Sequence, residues 1–221
     1  MKSIGRFLVL LLPWPLRRLV LIHGFGYSIH RTARIGFSWI FPVYLEMGEG
    51  ASIGHFTVAI HLDRLTLGAH ALIDRRNWIT GYPRAGRRHF LHCPDRQPAL
   101  VLGAHSAVTK NHHFDCTDRV QIGAFTTVAG YGSQFLTHSI DLQRNRQDAA
   151  PIRIGDYCFV GTDVVVLGGA GLPDRSVLGA KALLNRSFAE SGWLYGGVPA
   201  RPIKPLPADA AYFTRARGFV V

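Results

Sequence analysis

The stretch Ile154–Leu184, IGDYCFVGTDVVVLGGAGLPDRSVLGAKALL, decides the fold. Every sixth residue, Ile154, Val160, Val166, Leu172, Leu178 and Leu184, is aliphatic. Four positions further on in each hexad stand Cys158, Val164, Ala170, Ser176 and Ala182, all small or slim. A period of six matches neither the helix period nor the alternation of a simple strand. It matches a prism whose flat faces are short strands and whose corners are turns, with the aliphatic inside, stacked on its equivalent in the next coil. Three hexads close one coil of about 18 residues. The chain is therefore expected to be all-β, a parallel β-helix.

The same spacing extends upstream. It begins at Ile35-Gly36 and continues through Phe41, Met47, Ile53, Ala59 and Leu65, then Leu67, Ile73 and Ile79 after a slip of two residues. It resumes at Leu102 and Val108, and again at Ile122 and Val128. Two segments break it: residues 81–99, carrying Arg84, Arg87, Arg88 and Arg96 with Arg76 just before, and residues 139–151. Both read as loops thrown out from a corner, the usual place for binding in a solenoid.

The division expected is an N-terminal helical arm over 1–34, a β-helix over 35–205 and a tail over 206–221, with a short helix near 210–217. The arm alternates apolar runs, Phe7–Leu12 and Leu19–Ile22, with basic residues; the first acidic residue is Glu46. Neither run reaches the ~20 residues that span a bilayer. Two compatible readings follow: a helix on an anionic membrane surface, and a cap over the open end of the solenoid.

Composition agrees with a turn-rich globular fold. Of 221 residues, 48% are hydrophobic, and the 24 glycines and 12 prolines suit many turns. A formal charge of +11 asks for an anionic partner. No nucleic-acid motif is present, so none is expected as partner. Cys93, Cys116 and Cys158 form no CxxC pair and read as free thiols of a reducing compartment, hence a cytoplasmic location.

Several segments together resemble the hexapeptide-repeat acyltransferases. They are Thr137-His138-Ser139 before a corner loop, Pro151-Ile152-Arg153-Ile154-Gly155 running on to Val160-Gly161, Val177-Leu178-Gly179-Ala180, and Gly197-Val198-Pro199-Ala200-Arg201. The likeness covers residues 35–205. It is strongest to bacterial O-acetyltransferases of exopolysaccharide and colanic acid biosynthesis. The resemblance implies a left-handed coil, a homotrimer with an active site in each cleft between prisms, and acetyl-coenzyme A lying beside the C-terminal coils. Phe125, Phe135, Tyr157 and Phe159 are expected on the outer faces, which a closed ring would bury. It implies transfer of an acetyl group to a hydroxyl of a saccharide or glycolipid acceptor, and no metal. Lys181-Ala182 departs from the Gly-Ser common there.

Acetyl transfer to a hydroxyl needs a base for the proton. His138 stands where the resemblance places it, and imidazole titrates near neutrality. Asn111, His112, His113 and Asp115 are expected to bind the acceptor or orient His138, with Asp118 just beyond and Asp141 a rival orienter. Phe159, Gly161, Thr162, Gly179, Ala180, Lys181, Arg201 and Lys204 are expected at the cofactor, the small residues admitting the pantetheine arm and the basic ones its phosphates.

Three other readings remain open. One is N-acylation of an amino sugar, or acetylation of an antibiotic, on the same scaffold. Another is a γ-type carbonic anhydrase holding zinc through histidines such as His70, His105, His112 and His113. The third is a scaffold without catalysis.

Overall fold

The computed structural model describes residues 2–86, 89–218 and 220; Arg87 and Arg88 of the arginine-rich loop lie outside them. Twenty-two short parallel strands and one final antiparallel strand wind into three sheets, each a face of a left-handed parallel β-helix. The first face stacks Ser28–Ile29, Tyr44–Met47, Arg64–Leu67, Ala99–Leu102, Val120–Ile122, Ile152–Ile154 and Gly171–Leu172. The second runs from Arg34–Ile35 through Ala107–Val108 and Phe159–Val160 to Val177–Leu178, then takes the antiparallel pair Trp193–Gly196 and Arg201–Pro205. The third runs from Trp39–Phe41 through His113–Asp115 and Gln134–Leu136 to Leu183–Leu184.

The periodic aliphatics are the core. Ile154, Val160, Val166, Leu172, Leu178 and Leu184 are all buried, as are the small residues of the same hexads. The slip of two at Leu65 and Leu67 has a simple cause. Both point inward from one strand, and Leu45 with Met47, and Leu100 with Leu102, repeat the pair in adjacent coils. The first face is wider by two residues there, so the count of six breaks while the packing continues.

Two apolar positions differ from the sequence reading. Ile40, not Phe41, aligns with Ala59 in the third face; Phe41 is covered from outside by Phe25 at 5.4 Å and by the Arg6 guanidinium. Phe135, expected on an outer face, is fully buried and stacks on Phe114 at 4.6 Å.

The arm forms two helices, α1 (Lys2–Leu11) and α2 (Trp14–Phe25). Pro in the first turn of α2 starts it, and Gly26 in the left-handed conformation ends it, with Gly26 N–H on the Ile22 carbonyl. Leu21 seals the open core. The buried Arg17 guanidinium donates to the Gly36 and Ser38 carbonyls, both at 2.8 Å, and Arg18 to Ile29 at 2.6 Å. α2 thus caps the solenoid. Phe7, Leu8 and Leu11 of α1, with Leu16 and Leu19 of α2, face outward. Among the described residues, no helix is long and apolar enough to cross a membrane.

At the other end, the tail helix is a single 3₁₀ turn, Ala211–Phe213, narrower than 210–217. Phe213 is buried, and Arg215 lies 3.9 Å over Tyr212 while donating to the Phe125 carbonyl.

Candidate active site

The third-face strand Gln134–Leu136 ends at a corner, and the chain leaves the coil as a hairpin, His138–Asp141 against Arg146–Ala149. Its base is packed hard on the next coil: a Cβ at Gly168 would sit 2.6 Å from the Thr137 carbonyl and 3.1 Å from that of Ala150. His138 is therefore the first residue of the insertion and is fixed by the coil beneath it.

One coil earlier, the third face presents Asp115. It is buried, and its carboxylate meets His138 Nδ1. The other carboxylate oxygen accepts from the Thr117 hydroxyl at 2.6 Å and the Thr117 N–H at 3.0 Å. Burial pushes the Asp115 carboxyl upward, but the bonds from His138 and Thr117 outweigh it and hold the carboxyl below its ordinary range. An ionised carboxylate only accepts, so His138 Nδ1–H is the donor and Nε2 keeps its lone pair. The bond from Asp115 raises the His138 pKa against the opposing effect of its partial burial.

The His138 side chain remains 43% exposed. It opens on a cleft of about 360 Å³ walled by Leu136, Ser139, Asp148, Leu167, Gly168 and Asn185. Phe90, from the 81–99 loop, stands edge-on to the imidazole, ring centroids 6.2 Å apart. Arg96 holds that loop down: its buried guanidinium donates to the Tyr82 and Thr117 carbonyls and lies 4.6 Å over Phe90. An imidazole oriented by a buried carboxylate, with its free nitrogen toward a cleft, can accept a proton from a bound hydroxyl or amine.

The other predicted residues divide. Asp141 does not reach His138; it is tied within the hairpin turn to Arg144 at 3.0 Å and to the N–H groups of Gln143 and Arg144. His112 is inside the wall, its Nε2 on the Thr109 hydroxyl at 3.0 Å and its Nδ1 accepting from Ser133 N–H at 3.2 Å. Burial lowers its pKa to about 4, so it stays neutral and structural. Asp118 bonds the Gln97 and Arg119 N–H groups and anchors the end of the loop. Asn111 is an exposed corner residue with φ 57°, and His113 is exposed on the outer third face.

Gly161, Thr162, Gly179, Ala180 and Lys181 lie at the corner between the second and third faces, whereas His138 lies at the corner between the third and the first. Within one chain they do not line the His138 cleft. Gly161 is small for another reason: a Cβ there would meet Ala180 N at 2.7 Å, so coil stacking demands glycine. Lys181 pairs with Asp163 at 2.7 Å. Phe159 is outward on the second face, edge-on to Tyr212. Arg201 and Lys204 are exposed on the final strand. Gly168 and Asn185 were missed by the sequence reading; both recur at the corner of His138, one and two coils on, which only the coil register shows.

Of the histidines weighed as zinc ligands, His70 and His105 stack on each other at 4.9 Å at a corner and continue into Phe125 and Tyr157. Among the described residues no metal-type cluster is built from His70, His105, His112 and His113.

Comparison with known proteins bears on the fold. The coil is the fold of hexapeptide transferases. It superposes on a hexapeptide transferase family protein from Anaplasma phagocytophilum with a TM-score of 0.50, 18% identity, and coverage of 85% of this chain and 82% of that one. It superposes on an N-acyltransferase from Bacillus cereus, solved with dTDP-4-amino-4,6-dideoxyglucose and coenzyme A, with a TM-score of 0.54, 12% identity, and coverage of 79% and 83%. In sequence it is 27% identical over 175 residues to UDP-3-O-acylglucosamine N-acyltransferase from Caulobacter sp. (strain K31), spanning 71% of this chain. The chain covers 46% of that relative's length. No family model matches the sequence.

Proposed function

We propose that the protein is a coenzyme A-dependent acyltransferase that moves an acetyl group to a hydroxyl of a saccharide or lipid-linked saccharide. The observation that carries this is the buried Asp115 carboxylate orienting His138 at the mouth of a cleft. His138 Nε2 takes the acceptor proton as the hydroxyl oxygen attacks the thioester carbonyl. The tetrahedral intermediate then collapses, the C–S bond breaks, and the imidazolium returns its proton to the leaving thiolate. Asp115 stabilises the imidazolium between the two steps. Asn185 supplies an amide donor on the cleft wall. The family resemblance, and the coenzyme A held by the Bacillus cereus structure, support the donor.

A recess of about 270 Å³ on the first face is lined by Arg64, Arg84, Arg96 and Arg119, and a groove that shares Arg96 and Arg119 with it shares Ala149 with the His138 cleft. The recess suits an anionic part of the acceptor. Gly179, Ala180, Lys181, Arg201 and Lys204 reach the cofactor in this reading from a neighbouring subunit of a homotrimer, since they lie away from the His138 corner. The enzyme would work in the cytoplasm, with the α1 face resting on an anionic membrane near lipid-linked acceptors.

A second reading, N-acylation of an amino sugar, is favoured by the N-acyltransferases among the relatives. One assay tests both. Purified protein with acetyl-coenzyme A is offered matched hydroxyl and amino saccharides, with free thiol release as the readout. Release with hydroxyl acceptors alone supports the first reading, release with amino sugars alone the second, and none with either rejects acyl transfer.

A further inference from the structure

We propose that His92, Cys93 and Asp148 form a binding site for one zinc-type divalent ion that clips the 81–99 loop to the hairpin bearing His138. Cys93 Sγ lies 3.3 Å from Asp148 Oδ1, and His92 Nε2 lies 3.7 Å from the same oxygen. All three donor atoms fall within 4.8 Å of one another. Ligands at roughly 2.0–2.3 Å from a tetrahedral zinc stand roughly 3.3–3.8 Å apart, so two of the three edges are already formed. One thiolate, one imidazole and one carboxylate make a borderline-soft set. It selects zinc, or cobalt as its spectroscopic substitute, over the oxygen-seeking magnesium and calcium. The fourth position faces solvent and takes water.

The donors are far apart in sequence, which is why spacing alone shows no metal motif. The fold brings them together because both insertions leave the solenoid on the same side. Asp148 pairs with Ser139 in the hairpin, next to the His138–Ala149 pair, and it also lines the His138 cleft. Phe90, three residues before Cys93, touches the imidazole edge and bonds Cys93 N–H through its carbonyl at 3.0 Å. On binding, the proton that the Cys93 thiol now donates in its hydrogen bond to Asp148 passes to solvent, and the metal takes its place. The ion would then hold the loop, and Phe90 with it, against the base. The departure from the expected absence of metal is confined to this site and leaves the acyl-transfer chemistry without a metal step.

The test uses untagged full-length protein and zinc itself. Stripped with chelator and dialysed against micromolar zinc, the wild type should retain one equivalent per chain by elemental analysis. Its cobalt form should show a thiolate-to-cobalt charge-transfer band. Cys93→Ser should abolish the band, and His92→Ala and Asp148→Asn should each weaken zinc binding by more than about tenfold. Circular dichroism should match the wild type in all three, since the residues lie in surface insertions. Zinc should also slow trypsin cleavage within residues 81–99 in the wild type and not in Cys93→Ser. A wild type that retains no zinc overturns the site. So does a Cys93→Ser protein that binds as tightly, because the metal would then sit on other histidines. None of these readouts depends on acyl transfer, so the two proposals fail separately.

Discussion

In the proposed reaction His138 and Asp115 act through one bond, and that bond would set the pH dependence. Only neutral imidazole accepts a proton, and Asp115 raises the His138 pKa. Turnover should therefore rise with pH through an ionisation above the ordinary histidine value of 6.5. Asp115→Asn removes the charge and should shift that limb to lower pH while reducing the plateau. His138→Ala should lower turnover by ~10²–10⁴-fold with cofactor affinity kept; retention of more than about a tenth of wild-type turnover would assign the base elsewhere. His112 gives an independent check, because it works on stability. Its pKa falls from 6.5 to about 4 on burial, so between these values the unfolded chain binds a proton that the folded chain refuses. Stability should rise with pH across that window and be lost on acidification toward pH 4, by up to on the order of 3 kcal/mol. Equilibrium urea unfolding measured at pH 7 and near pH 4.5 reads it, and His112→Gln should flatten the difference. The sequence shows only one member of the His138–Asp115 pair. His138 is legible from Thr137-His138-Ser139 and its position before a loop. Its partner is not, since Asp115 and Asp141 both qualify until the coil places one beneath the ring and the hairpin turns the other toward Arg144.

At the scale of the element, periodicity carried most of the information. An inward aliphatic at fixed spacing is dictated by a core with room for one side chain per face, so Ile154–Leu184 could be read directly. Where the first face presents two inward residues, as at Leu65 and Leu67, the period breaks without any loss of packing, and the sequence shows only a slip. Phe135 illustrates the same limit: an aromatic on a short strand points in or out according to register, and the register is fixed by Phe114 in the coil below. Of the two roles expected of the arm, the structure shows the cap; the membrane role would fall to α1 and is a prediction. α2 caps, and Arg17 is its main polar contact, buried with two carbonyl bonds across the open end of the first coil. Arg17→Ala leaves those carbonyls without a charged donor and should cost about 2–4 kcal/mol, read by chemical denaturation; a change within about 0.5 kcal/mol would mean that water replaces the cap. α1 contributes the exposed Phe7, Leu8 and Leu11. Liposome co-sedimentation should rise with anionic lipid, fall with salt, and drop when residues 2–11 are removed. Equal partition of the truncated and full-length chains would leave α1 without a membrane role.

For the whole molecule, the proposed site calls for assembly. His138 and Asp115 stand at one edge of the third face, while the residues expected at the cofactor stand at its other edge and on the final strand. A single prism cannot bring both groups to one thioester, because the face between them is itself a wall of the core. A closed ring can, since each cleft then has one edge from one prism and the other edge from its neighbour. The outer surface agrees: Trp78 on the third face, Tyr131 at the corner and Phe159 on the second face are large, apolar and at least partly exposed in the isolated chain, a pattern that closure would bury. The expected particle is a trimer of ~73 kDa, three copies of the 24.4 kDa chain. Light scattering at micromolar concentration measures the mass. Mixing a His138→Ala protein with one carrying Arg201→Ala and Lys204→Ala tests the shared site. Subunits that exchange should recover part of the activity that neither variant shows alone, because some clefts then combine an intact base with an intact cofactor edge. A monomer with full activity, or a trimer whose mixed variants recover nothing after exchange is verified, would place the whole site within one chain and move the cofactor to the Gly168 and Asn185 corner.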